Sequence, residues 1–208
     1  MVDGYSGYQP ICEANEIKRL GCWAHARRKF VDAQKAQGKT KKAGRADQAI
    51  AQIKKLYQIE SLAKDLTPQA RYQLRQEKAK PILDKLKAWL DKGLNQVPPK
   101  TAIGKAFTYC INQWSYLIQY LKDGEYPIDN NFAENKIRPF VIGRKNWLFS
   151  NSQAGANASA NLYSLIETAK ANGLEPYAYL RKVFTDLPNA ETIEDIDVLL
   201  PWAEREEK

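Results

Sequence analysis

Apolar residues recur at helical spacing through most of the chain. Cys22, Ala26, Phe30 and Ala33 form a stripe that predicts a helix over residues 15–37, with Arg27, Arg28 and Lys29 turned largely away from it. Ile50, Ile53, Leu56, Tyr57 and Leu62 mark a second helix from Arg45 to about Leu66. Thr67-Pro68 then supplies an N-cap and a proline suited to a first helical position. The helix it opens runs toward Leu94, kinked or divided at Pro81, with Ile82, Leu83, Leu86, Trp89 and Leu90 facing a core. After Pro98-Pro99, the spacing of Ala106, Cys110, Trp114, Leu117 and Leu121 predicts a helix over 101–121. Aromatic stripes of this kind belong to a core rather than to a cofactor site.

Past Asp123-Gly124 the pattern changes. Pro127 and Asp129 mark a helix entry, and the helix is expected to stop at Pro139, which lacks an N–H and biases Arg138 away from helical dihedrals. Residues 139–149 read as extended, a strand with a turn at Gly143-Arg144. The alanine-rich run 158–172 predicts a helix closed by Asn172-Gly173. Glu175-Pro176 opens a last amphipathic helix through Phe184, and Leu199, Leu200 and Trp202 are expected to dock the acidic tail. At the other end, Asp3-Gly4-Tyr5 reads as a strand passing into a loop.

Charge narrows the partners. The net charge is +8 and the excess is uneven: residues 16–56 hold twelve Lys or Arg against three acidic residues, whereas residues 191–208 hold seven acidic residues against two basic ones. The basic stretch suits either a polyanion or simple solvation of helical faces, and so does the basic loop at residues 38–44. Three cysteines, Cys12, Cys22 and Cys110, indicate neither a disulfide framework nor a four-ligand zinc site, and reduced thiols are expected. No apolar run is long enough for a bilayer, and residues 1–30 contain no signal-peptide core. A soluble, intracellular protein without membrane association is the expectation. Gly-rich phosphate loops are absent, and one histidine with scattered cysteines forms no persuasive triad.

Candidate chemistry concentrates at residues 127–151. Asn130, Glu134 and Arg138 recur every four residues and share a helix face, with Asn131 and Ile137 beside them. A carboxylate on a short helix suits Mg²⁺, which prefers hard oxygen donors. Asn131-x-x-Glu134 also scans as a capping box, the reading that spacing alone favours. Arg144, Lys145 and Trp147 put cations beside an aromatic, as a phosphate backbone and an unstacked base would require, although Trp147 also suits a place in the core. His25, the only histidine, is read first as a packed or hydrogen-bonded side chain.

The string DNNFAENKIRPFVIGRKNWLFSNSQAGANASANLYSLIETAKANGLEPYAYL, preceded by GCWAHARRKF at 21–30 and DGY at 3–5, resembles insertion-sequence-66 family transposases from about Asp3 to Trp202. The resemblance implies a catalytic core of the DDE type: an α/β, partly ribonuclease-H-like fold carrying a large all-α insertion, and a chain that is mostly helical overall. It divides the chain into the end of a core strand segment with the second aspartate at 1–14, the helical insertion at 15–125, the C-terminal part of the core at 126–186 and the acidic tail at 187–208.

In that scheme Asp3 and Glu134 are catalytic metal ligands for two Mg²⁺ or Mn²⁺ ions that assist phosphoryl transfer. Arg27, Arg28, Lys29, Asn130, Asn131, Arg138, Arg144, Lys145 and Trp147 are the candidate DNA contacts. Cys22-x-x-His25 is similar to an element that follows the second aspartate in several DDE groups; it implies structural or substrate-positioning work. The partners implied are transposon-end and target DNA and a second copy of the chain, in a bacterial cytoplasm. The stretch bearing the first aspartate has no match here, so the chain reads as truncated and is expected to be inactive alone. A non-catalytic helical DNA-binding or assembly module is the competing reading.

Overall fold

A computed structural model describes Met1, residues 7–37 and residues 43–203. Among the described residues there is no strand or sheet, so the expected α/β, partly ribonuclease-H-like core is corrected to an all-helical architecture. Asp3-Gly4-Tyr5 and loop residues 38–42 lie outside the described residues. Among these residues no helix is long and apolar enough to cross a membrane. The chain divides into two compact units, Met1–Phe132 and Ala133–Lys208.

Among the described residues of the first unit, the earliest helix is α1 (Tyr8–Ala14). Pro10 sits in its first turn, where a missing N–H removes no helical bond, and Gln9 donates to Glu13 one turn on at 2.5 Å. The helix expected from residue 15 starts instead at Trp23 and forms α2 (Trp23–Gln37). The reason lies just upstream. Glu16 has a positive φ of 53°, and Gly21 approaches the chain so closely that an added Cβ would meet the Leu117 nitrogen at 3.0 Å. Gly21 N–H donates to the Tyr116 carbonyl at 2.9 Å, committing this stretch to a distant partner rather than to a helix.

Then follow α3 (Arg45–Leu62), α4 (Pro68–Leu74), a π-helical turn at Arg75–Ala79, α5 (Lys80–Leu94), α6 (Ala102–Asn112) and the short α7 (Trp114–Leu117) with a 3₁₀ turn at Ile118–Lys122. The division expected at Pro81 appears as that π turn, whose wider ring absorbs the carbonyl that proline cannot serve. Trp23, Ala26 and Phe30 of α2 pack with Ile53 and Leu56 of α3, Leu83, Leu86 and Leu90 of α5, and Phe107 and Cys110 of α6 in one core. Two polar devices lock it. The Trp23 Nε1–H donates to the Leu117 carbonyl at 3.0 Å. Arg75, only 1% exposed, donates to both Glu60 carboxylate oxygens at 2.9 and 2.6 Å and to the Tyr120 and Asp123 carbonyls at 2.8 and 2.6 Å.

Helix α8 (Asn131–Trp147) carries the largest local surprise, because it runs through Pro139 and takes up residues expected to be extended. An interior proline costs about 3 kcal/mol. Phe140 and Trp147, seven residues apart, share a helix face only if the helix continues. They then meet each other and Tyr163, with ring centroids 5.2–5.9 Å apart. Three aromatic contacts at roughly 0.5–1.5 kcal/mol each beyond their burial offset the proline. Gly143, read from sequence as a turn, lies inside the helix. A Cβ there would come within 2.6 Å of the Trp147 ring, so glycine makes room for the indole.

The rest of the second unit is α9 (Gln153–Ala171), α10 (Pro176–Asp186), a 3₁₀ turn at Leu187–Asn189 and α11 (Ile193–Asp197). Ser152 caps α9 by accepting from Gly155 N–H at 3.0 Å, and Gly173 leaves it with a φ of +81°. Ala169, Tyr179, Val183 and Leu199 form a small core, and the Tyr179 hydroxyl donates to the Leu199 carbonyl at 3.1 Å. Leu199 therefore docks the tail as expected, whereas Trp202 is largely exposed.

Candidate nucleic-acid interface

The site is built where α2 begins. Cys22 precedes α2, and its buried Sγ accepts from Asn130 N–H at 3.4 Å. Burial pushes the Cys22 thiol up, while the backbone N–H groups of Asn130, His25 and Ala24 oppose that shift, so Cys22 is a neutral thiol capping the helix start. Trp23 N–H donates to the Ile128 carbonyl at 3.2 Å. These two bonds fasten residues 128–130 against the first turn of α2.

Asp129 is the hub of the fastened segment. Its Oδ2 accepts from the Tyr57 hydroxyl and from Asn131 Nδ2, both at 2.8 Å, and its Oδ1 accepts from Asn131 N–H at 3.0 Å. The Tyr57 phenol is raised above its ordinary value, first by burial and then by the Asp129 hydrogen bond and charge, so it stays protonated. Asn131 lies within α8 and its amide turns back to Asp129, so Asp129 caps this end of the helix.

Beside this hub lies an open cleft of about 390 Å³, lined by Ala24, Arg27, Arg28 and Val31 of α2, Lys54 and Tyr57 of α3, and Asn131. The α2 residues fall at helical spacing on one face, and Lys54 and Tyr57 sit one turn apart on α3. No described carboxylate forms a salt bridge with Arg27, Arg28 or Lys54. The lining thus combines the cationic Arg27, Arg28 and Lys54 with the apolar Ala24 and Val31, a chemistry suited to an oxyanion carried on an apolar or planar group.

The remaining candidates are dispersed. Lys29 leaves the cleft and places its Nζ 5.5 Å from the Tyr109 ring centroid. His25 is half-buried near the start of α2. Asn130 contributes its backbone N–H to Cys22. Glu134 is half-buried in the first turn of α8, and Arg138 is exposed one turn further along the same helix. Arg144 and Lys145 lie about 15 Å along the helix from Glu134, at 1.5 Å per residue. Arg144 Nε donates to the Leu148 carbonyl at 3.4 Å, helping to close the helix end. Trp147, 38% exposed, is held by Phe140 and Tyr163. Asp3 lies outside the described residues.

Sequence reasoning missed three participants. The sequence pattern places Tyr57 in an apolar stripe, Asp129 at a helix entry, and Lys54 in an undifferentiated basic stretch. The available signal was Tyr57 standing at the edge of its stripe, one turn from a lysine. No periodicity announces a hydrogen bond between residues 72 apart.

Residues 1–158 match the model of the family described as "Transposase IS66 family", and residues 164–202 match "IS66 C-terminal element". The chain is also similar to three uncharacterized proteins of Sinorhizobium fredii. It is 35% identical to y4qI over 97% of this chain and 38% of that protein. Identity to y4hP is 32% over 96% of this chain and 38% of that protein, and to y4jD 33% over 97% and 40%. The chain therefore spans about two fifths of the length of these relatives. No solved structure matches it.

Proposed function

Because this chain belongs to the IS66 transposase family, we propose that it serves DNA transposition, gripping DNA through the cationic cleft of its helical unit. The observation that carries this reading is the grouping of Arg27, Arg28, Lys54 and Asn131 around one cleft within the family-matched segment. Guanidinium and ammonium groups without carboxylate partners keep their donors available for phosphate oxygens.

The reaction proposed is strand cleavage and transfer of the DDE type. Divalent Mg²⁺ or Mn²⁺, when bound, activates the attacking oxygen and stabilises the leaving oxygen. Among the described residues no group of three or more His, Cys, Asp or Glu comes together. Glu134 would contribute one carboxylate, with Asp3 the candidate for another. Arg138, Arg144 and Lys145 add positive charge along α8 for the DNA backbone.

A second reading, a DNA-binding or assembly module without cleavage, is favoured by the cations gathered around the cleft, which need no metal to hold a phosphate. Fluorescence anisotropy with labelled transposon-end DNA across a salt series, run beside a Mg²⁺ or Mn²⁺ cleavage assay, separates the two. Three phosphate contacts predict a log–log salt slope near about −2.7. On the catalytic reading, Glu134→Gln abolishes metal-dependent cleavage and leaves binding unchanged. Salt-sensitive binding with no cleavage by the unaltered chain supports the binding module. Absence of binding at low salt overturns both.

A further inference from the structure

The cleft holds more than phosphate binding requires. A surface for phosphate alone needs cations; this one is also lined by the apolar Ala24 and Val31 and by two polar side chains, Tyr57 and Asn131, already tied to Asp129. Its volume of about 390 Å³ lies within the roughly 300–1,000 Å³ range of clefts that take small molecules. We propose that this cleft seats a single nucleotide of a DNA strand. Arg27, Arg28 and Lys54 take the phosphate oxygens, and the apolar Ala24 and Val31 take the attached sugar or base.

Asp129 acts as a positioning residue in this seat. Its carboxylate accepts three hydrogen bonds, two from Asn131 and one from Tyr57, so both side chains are set before DNA arrives. With Nδ2 engaged by Asp129, Asn131 retains its amide oxygen as an acceptor for a base or sugar donor. A preset wall lowers the side-chain ordering cost of binding. Among the lining residues Arg27, Arg28 and Lys54 carry positive charge and none carries a carboxylate.

The seat presupposes that the chain binds DNA at all, and the test keeps the two apart. Binding of a labelled single-stranded oligonucleotide to the full chain is measured for Arg27→Ala, Lys54→Ala, Asp129→Asn and a control, Lys105→Ala, an exposed position on α6. On a single strand, one lost phosphate contact removes a factor of about 10 to the power 0.7, roughly fivefold at 0.1 M salt relative to 1 M, and lowers the salt slope by about 0.7. Arg27→Ala and Lys54→Ala should each show both effects, and Lys105→Ala neither. A nucleoside monophosphate should displace the oligonucleotide at lower concentration than inorganic phosphate. That advantage should shrink in Asp129→Asn while the salt slope stays fixed.

Wild-type affinity in both cleft variants would remove the seat while leaving DNA binding intact. Equal displacement by nucleotide and phosphate would overturn a nucleotide seat. An unchanged nucleotide advantage in Asp129→Asn would remove Asp129 from its role. No binding by the unaltered chain would overturn seat and DNA reading together.

Discussion

Helices α3 and α8 are nearly equal in length, 18 and 17 residues, yet they differ in what they bury. Helix α3 buries Ala46, Ala49, Ile53, Leu56 and Ile59, and its outer edge presents Lys54 and Tyr57 to the cleft. Helix α8 buries none of its residues and leaves Phe132, Ile137, Val141 and Ile142 more than half exposed. The difference concerns how chemistry is positioned. Residues on α3 inherit their place from a packed core, so Lys54 and Tyr57 are set by side chains that touch no ligand. Glu134 and Arg138 sit on a helix whose own burial does little to place it, beyond the aromatic contacts of Phe140 and Trp147.

The sharpest way to break that contrast is to unlock the core behind α3. Arg75→Ala leaves Glu60 and the carbonyls of Tyr120 and Asp123 without their donor, and breaking such a buried pair costs about 3–5 kcal/mol. Urea denaturation followed by circular dichroism should show a loss of that size. A stability within about 0.5 kcal/mol of wild type would mean that the guanidinium holds nothing in place.

Truncation on each helix sharpens the comparison. Leu56→Ala in α3 removes a fully buried side chain and should cost about 2–5 kcal/mol, whereas Val141→Ala in α8 should stay within about 0.5 kcal/mol. Equal effects in the same denaturation experiment would erase the distinction.

Alkaline pH gives a smaller and more gradual test. Burial pushes the Cys110 thiol from 9.0 up to about 12 and raises the Cys22 thiol and the Tyr57 and Tyr120 phenols, all in the first unit. In the second unit Tyr179 is raised as well, again by burial. A folded-state pKa above the unfolded one means that the native state holds its proton more tightly. The contribution is full below the unfolded value and is lost as pH rises toward the folded one. Stability of the first unit should therefore decline from about pH 9 upward, and Cys110→Ala should flatten the early part of the decline. A first unit equally stable at pH 7 and pH 10.5 would contradict this.

Much of the helical architecture was legible because burial leaves a period. Ile53 and Leu56, Leu83, Leu86 and Leu90, and Ala106 and Cys110 all lie in the core as their spacing indicates. Caps were legible for a local reason: Thr67, Glu175 and Gly173 act on neighbours within three residues or through their own φ. Leu62 shows where the rule fails, since it continues the stripe of α3 but is 68% exposed at the helix end. Pro139 misled because a local preference was outweighed by Tyr163, more than twenty residues away. The sequence singled out Arg27, Arg28 and Asn131 individually, and the fold places all three around one cleft. Tyr57 and Asp129 became visible only once that fold was known.

The fastening of residues 128–131 to α2 and α3 also sets an order of events in folding. It joins Cys22 to Asn130 across 108 residues and Tyr57 to Asp129 across 72. Loops of that length must close before either bond can form, whereas α3 and α5 gain most of their bonds within four residues. The cleft is therefore assembled after the helices around it. In pulsed hydrogen exchange during refolding, the amides of Trp23 and Asn130 should gain protection after those in the middle of α3. Any partner that engages the cleft meets a chain whose helical unit has already closed.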